Sequence, residues 1–180
     1  MLTVLIPDIE SFDNKTQEFV TIKGTTLQLE HSLVSISKWE SKWHKPFLNK
    51  DPKTREELID YVRCMTITQN VNPLVFDGIP NSVMKKIREY MDDAMTATTI
   101  KSQGKGKNGS EQITSELIYY WMVALEIPFE CQKWHINRLL TLIRVCDIKN
   151  KPPKKMSKRE TLQQNARLNA MRRKRHNTKG

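Results

Sequence analysis

The chain has 180 residues, 38% of them hydrophobic and 28% charged, with 6 Gly, 8 Pro and 3 Cys. That suffices for one domain with a real core, and it excludes collagen-like, low-complexity and disulfide-scaffold classes. The net charge is +10, but residues 149–180 hold 12 of the 30 Lys and Arg against a single acidic residue, Glu160, so the body over 1–148 is close to neutral. Any step from basicity to nucleic acid therefore concerns the tail alone.

In chain order, "MLTVLIPDIE" lacks a basic flank, and its apolar run is too short for a signal peptide. "LTVLI", "EFVTIK" and "TTLQLE" are β-rich, with turns at "DNKT" and at "KGTT", where Gly24 is free to take positive φ. A small antiparallel sheet over 1–30 is expected. From 32 to 148 helices dominate. Ser32 caps a helix carrying Leu33, Ile36, Trp39, Glu40 and Trp43 that stops before Pro46. Thr54 and Glu57 form a capping box for a helix burying Leu58, Ile59, Val62 and Met65. "NVNPLVFDGIPNS" over 70–82 reads as a turn-rich connection, and a further helix is expected from about Ser82 to Met91.

"MTATTI" over 95–100 has strand composition, and "KSQGKGKNGS" over 101–110 reads as a glycine-rich loop. Thr114 or Ser115 starts a helix over "LIYYWMVAL", an apolar run bounded by Glu116 and Glu126. A membrane span needs about 20 apolar residues, so this one reads as a buried helix, and no membrane association is expected. "ECQKWHINRLLTLIRVC" over 130–146 predicts a second long helix, which with the first makes an αα-hairpin. Pro152–Pro153 ends the domain, and Ser157 with Glu160 opens a helix to about Arg172 whose apolar positions (Leu162, Ala166, Leu168, Met171) are sparse.

The expected fold class is thus α+β, mostly α. A small N-terminal antiparallel β-sheet packs on a helical domain with a central αα-hairpin, and a basic C-terminal helical arm follows over 149–180.

Candidate chemistry is thin. Cys131 and His135 stand four apart on the predicted helix, so both could face one metal ion, but zinc needs further ligands from distant Cys64, Cys146 or His44. Burial is the better reading, and no metal or other cofactor is expected. There is no G-x-S-x-G, Walker loop or H-E-x-x-H, and the glycines of 101–110 lack the G-K-[ST] of a phosphate cradle. No catalytic residue is assigned, and the chain reads as a non-enzyme. Trp39 and Trp43 share a helix face with Ile36; they read first as cover for the small sheet, and secondly, with Phe47, as part of a partner groove. The arm's cations, Lys154, Lys155, Lys158, Arg159, Arg167, Arg172, Arg173, Lys174 and Arg175, suit three readings: a solvated tail, nonspecific contact with nucleic acid, or a hook for an acidic or amphipathic protein. No aromatic residue follows Trp134, so base stacking is unavailable there.

Several stretches resemble a group of small tailed-bacteriophage proteins identified as tail assembly chaperones. They are "LQLEHSLVSISKWESKWHKPFL" (27–48), "CMTITQNV" (64–71), "ITSELIYYWM" (113–122), "IPFECQKWHINRLLTLIRVC" (127–146), "KNKPPKKMSKRE" (149–160) and the closing "NTKG" (177–180). The resemblance implies a non-catalytic protein that binds and solubilises the tape-measure protein, helps recruit tail-tube subunits, and tends to self-associate. It implies residence in the host cytoplasm during assembly, absence from the mature virion, and in many phages a longer frameshifted form. The alternatives are a nucleic-acid-binding accessory protein acting through the tail, or a neck or tail protein kept in the virion.

Overall fold

A computed structural model of the chain describes residues 1–13, 18–100, 112–151 and 157–177. Residues 14–16 of the first expected turn, the 101–110 loop, Pro152–Pro153 with Lys154 and Lys155, and 178–180 lie outside the described residues. The architecture is α+β and mostly α, in two units, Met1–Asp147 and Ile148–Gly180.

The larger unit opens with strands β1 (Leu2–Ile6), β2 (Ile9–Asp13), β3 (Glu18–Ile22) and β4 (Thr25–Leu29). β1 pairs antiparallel with β4 from Leu2↔Leu29 to Ile6↔Thr25, and β2 with β3 from Ile9↔Ile22 to Asp13↔Glu18. The single sheet expected from sequence is therefore a pair of two-stranded ladders. They keep one register, so together they make a long hairpin interrupted at Pro7–Asp8 and Lys23–Gly24. Pro7 has no N–H to give the ladder. Opposite it, the Gly24 N–H donates to Asp8 Oδ1 at 2.6 Å, and a Cβ on Gly24 would lie 2.6 Å from the Ile6 carbonyl oxygen. Glycine is required there by close approach; its φ lies outside the positive range expected from sequence.

Alternation places Val4, Ile6, Leu27 and Leu29 in the core and Thr3, Leu5, Thr26 and Gln28 outside. The chain after α2 (Arg55–Met65) shields the other edge of β4. The Ile67 N–H donates to the Gln28 carbonyl at 2.8 Å, and the Gln28 N–H to Thr68 Oγ1 at 2.9 Å.

Helix α1 (Leu33–Trp43) lies at the centre. Ser32 caps it with a box that Ser35 reciprocates, and it ends at His44, whose left-handed φ of 53° lets its N–H reach the Glu40 carbonyl. Around α1 pack α2, opened by the Thr54–Glu57 capping box, and α5 (Ser115–Ala124), capped by Thr114. The turn-rich connection contains a short helix, α3 (Leu74–Asp77), before α4 (Asn81–Asp92), which covers β1 with Ile87 and Tyr90 buried. Residues 95–100 form no strand, because β-prone composition gives no strand without a partner to pair with.

The second predicted long helix is also corrected. Phe129–Lys133 forms a 3-10 helix, Trp134 is extended, and α6 runs over Ile136–Asn150. His135 is held instead by a bridge to Ser32, with the Ile136 N–H donating to the His31 carbonyl at 2.7 Å. Cys131 and His135 are therefore not four apart on one helix.

Three side chains lock α1 to its neighbours. Trp39 is 1% exposed, and its Nε1–H donates to the Glu57 carbonyl of α2 at 2.9 Å. Trp43 is half-buried, stacks on Trp39 with centroids 6.1 Å apart, and donates from Nε1 to Asp60 Oδ2 at 2.8 Å. The tryptophans thus clamp α1 to α2, where the sequence suggested the sheet, because α2 supplies the acceptors for both indole N–H groups. Glu40 is 7% exposed and accepts at 2.7 Å from the Phe47 N–H and at 2.7 Å from the Ser115 N–H, the first residue of α5.

Three stability effects follow. Trp39→Ala is expected to cost about 3–5 kcal/mol in urea unfolding, as a large-to-small core change does, and Trp43→Ala, half-exposed, about 1–3 kcal/mol. Glu40→Gln replaces one acceptor oxygen with a donor facing an N–H group, and is expected to cost about 1.5–3 kcal/mol by the same measurement.

Candidate protein-interaction surface

Of the residues that sequence offers for partner binding, the aromatic set lies inside the fold. Trp39 and Phe47 are buried, and Phe47 stacks on Tyr61 with centroids 3.8 Å apart and meets Trp39 edge-on at 5.1 Å. Their rings are covered by α2 and by each other, so they present almost no surface to a partner; Trp43 keeps a partly exposed edge. Lys158, Arg159, Arg167, Arg172, Arg173, Lys174 and Arg175 stand on α7 (Lys158–His176), whose described residues are all exposed.

The exposed apolar surface lies elsewhere. α5 carries apolar side chains on every side, and such a helix is ordinarily enclosed. Here only Ile118 and Met122 among its large residues are buried, so the buried-helix reading is corrected: Tyr120 is 65% and Val123 60% exposed. Beyond the helix, Phe129 is 54% exposed and lies 6.5 Å from the Tyr119 ring, which is fixed by a Tyr119 Oη–H bond to Gln132 Oε1 of 2.9 Å. Beside Tyr120 an open groove of about 430 Å³ runs between α5 and α6, lined by Ile113, Trp121, Ala124, Leu125, Leu140 and Ile143, with Arg144 and Asp147 also on its wall. The signal available in sequence was the absence of any polar face in "LIYYWMVAL".

The other polar concentration is internal. His31 and His135 meet edge-to-face with centroids 5.0 Å apart. His31 Nδ1 shares a 2.5 Å hydrogen bond with Tyr61 Oη, and Ser35 Oγ lies 3.3 Å from the same hydroxyl. His135 accepts the Asn137 N–H on Nδ1 at 3.3 Å and donates from Nε2 to the Tyr90 carbonyl at 3.0 Å. Those two bonds fix a neutral ring, and His135 thereby caps the start of α6. Burial, with His135 as neighbour, pushes the His31 pKa down to about 3. Burial also lowers that of His135, against the raising effect of the Tyr90 carbonyl, Glu30 and Asp93. Tyr90 Oη–H in turn donates to Glu30 Oε1 at 2.6 Å.

At the α1–α2 seam, Lys45 and the Thr54 N–H hold the Glu57 carboxyl below its usual range. Burial pushes Asp60 up, and Lys42 with the Trp43 indole N–H more than offset it. Each buried polar side-chain atom among the described residues has a partner, so none is left aimed at a ligand. Among the described residues no three His, Cys, Asp or Glu side chains converge as a metal site would need, Cys64, Cys131 and Cys146 are free thiols, and no helix is long and apolar enough to cross a membrane.

Comparison with known proteins returned no matching protein-family model, no matching curated protein and no matching solved structure.

The histidine pair predicts the acid response. Unfolded imidazoles take up protons near pH 6.5 while folded His31 stays neutral to about pH 3. The unfolded state then binds more protons, and stability falls as pH drops below about 6.5. Glu57 and Asp60, depressed in the fold, act in the same direction only at lower pH. The thermal midpoint is expected to decline between pH 7 and pH 5, and His31→Gln, less stable at pH 7, to show a flatter decline. A midpoint constant over that interval would contradict the assignment.

Proposed function

We propose that this chain is a non-enzymatic protein-holding factor of the tail assembly chaperone kind, which binds the tape-measure protein, keeps it soluble and presents it to tail-tube subunits. The observation that carries the reading is the open apolar face of α5, with Tyr120, Val123 and Phe129 exposed beside the α5–α6 groove. Contiguous apolar surface on a folded protein marks a place where another apolar surface docks. The client is supplied by the resemblance of the stretches 27–48, 64–71, 113–122, 127–146 and 149–160 to phage tail assembly chaperones.

A long helical client fits that face. The groove wall offers apolar anchor positions one turn apart, Trp121 on α5 and Leu125 just after its end, with Arg144 beside them for a polar contact. Exchangeable clients suit an interface of aromatic and aliphatic side chains with few charges. Residence in the host cytoplasm during assembly and release before the virion is complete belong to the same proposal.

Co-expression with a phage tape-measure protein from the same genome tests the reading. The full chain should keep that protein in the supernatant and co-purify with it. Tyr120→Glu with Val123→Glu should keep the thermal midpoint close to wild type, as exposed substitutions generally do, and lose most of the co-purified client. If the wild-type chain neither solubilises nor retains the tape-measure or tube protein, the reading fails.

A further inference from the structure

α7 belongs to the second unit, Ile148–Gly180, and its chemistry points to a different partner from that of the α5 face. The helix runs 19 residues, is opened by the Ser157–Glu160 capping box and closed by Asn177 in the left-handed region, and buries no residue. At 1.5 Å per residue it is about 28 Å long. Its cations encircle it: Arg172, Arg173, Lys174 and Arg175 follow one another at steps of about 100°, and Arg159 and Arg167 add others along the shaft. None of them joins a salt bridge among the described residues.

The apolar residues of α7 do not gather. Met171, nine positions after Leu162, lies about half a turn round the helix from it, and Arg175 continues the line that Leu168 and Met171 begin. A helix that docks in a protein groove, or lies in a membrane surface, needs one apolar side. A flat acidic surface would use cations on one side of the helix only.

We propose that α7 is a duplex-DNA-binding helix that enters the major groove and neutralises the phosphates on both of its walls. That groove is about 12 Å wide and admits an α-helix of about 10–12 Å diameter, so cations all round the shaft meet backbone on both flanks. Asn165 and Asn169, four apart and so on one side of the helix, supply amides for the groove floor between them. The deep, narrow major groove of duplex RNA does not admit side chains in this way. A single strand needs aromatic stacking, and α7 has no Phe, Tyr or Trp. The inference is independent of the client-holding role, which α5 and the groove carry.

The test is fluorescence anisotropy of the full chain with a labelled mixed-sequence DNA duplex of about 30 base pairs. Binding is expected near 50 mM salt, with affinity falling roughly 10²–10³-fold by about 200 mM for about four to five neutralised phosphates. Alanine at Arg172, Arg173, Lys174 and Arg175 together should lower affinity by about tenfold or more and flatten the salt slope. Ala166→Pro keeps every cation but breaks the helix; it should lose about tenfold on the duplex while leaving the thermal midpoint of the body and client retention unchanged. The proposal is overturned by absence of binding near 50 mM salt, or by equal duplex affinity in either variant. Binding to duplex RNA, polyglutamate or phosphatidylserine vesicles as tight as to duplex DNA overturns it as well.

Discussion

Glu40 joins three parts of the fold through one carboxylate. A carboxylate moved from water into an interior costs several kcal/mol unless hydrogen bonds replace its hydration. Here one oxygen takes the Phe47 N–H and the other the Ser115 N–H. The first bond fixes the chain that leaves α1, which seats Phe47 against Trp39 and Tyr61. The second sets a negative charge at the first turn of α5, where the exposed N–H groups and the helix dipole favour it. Removal of Glu40 would leave both donors buried and unmet, so α1, the 44–47 turn and α5 hold position together.

Around that centre, polar contacts decide orientation and apolar contacts supply the bulk of burial. Trp39 and Trp43 each present an indole N–H to an acceptor on α2, which fixes the rotation of α1 about its axis as well as its distance. The neutral His31–His135 pair does the same between the end of β4 and the start of α6, and the bonds of Ile67 and Thr68 to Gln28 tie the hairpin to the chain that leaves α2. The outward side of α5 is left with no such closure, and it carries Tyr120 and Val123. A rigid seat on one side and an uncovered apolar side on the other is the arrangement a binding helix requires.

Local signals in the sequence were the legible ones. The caps at Ser32, Thr54, Thr114 and Ser157 were readable because an N-cap needs only neighbours within three residues. The alternation in β1 and β4 was readable because one face is buried. The illegible features depend on partners far away in the chain. The direction of the tryptophans was set by acceptors on α2, the break at Trp134–His135 by Ser32 and His31, and the missing strand at 95–100 by the lack of a pairing edge. The α5 surface was misread for a different reason. Nine apolar residues signal burial or binding equally, and composition does not distinguish a covered side from an uncovered one. The α7 cations were legible as charge, while their distribution round the shaft appeared only once the helix limits were fixed.

The Glu40–Ser115 bond also orders events in time. Its partners are 75 residues apart, so at translation rates of 5–20 residues per second Glu40 is made roughly 4–15 s before Ser115. During that interval α1 and α2 can form and clamp, since their contacts are local, but the carboxylate has only Phe47 to bond. The central helix therefore stays half-solvated on the ribosome until α5 emerges, and the apolar helix meets its seat as soon as it is made. α6, made after it, then closes on His31 and completes the groove beside α5.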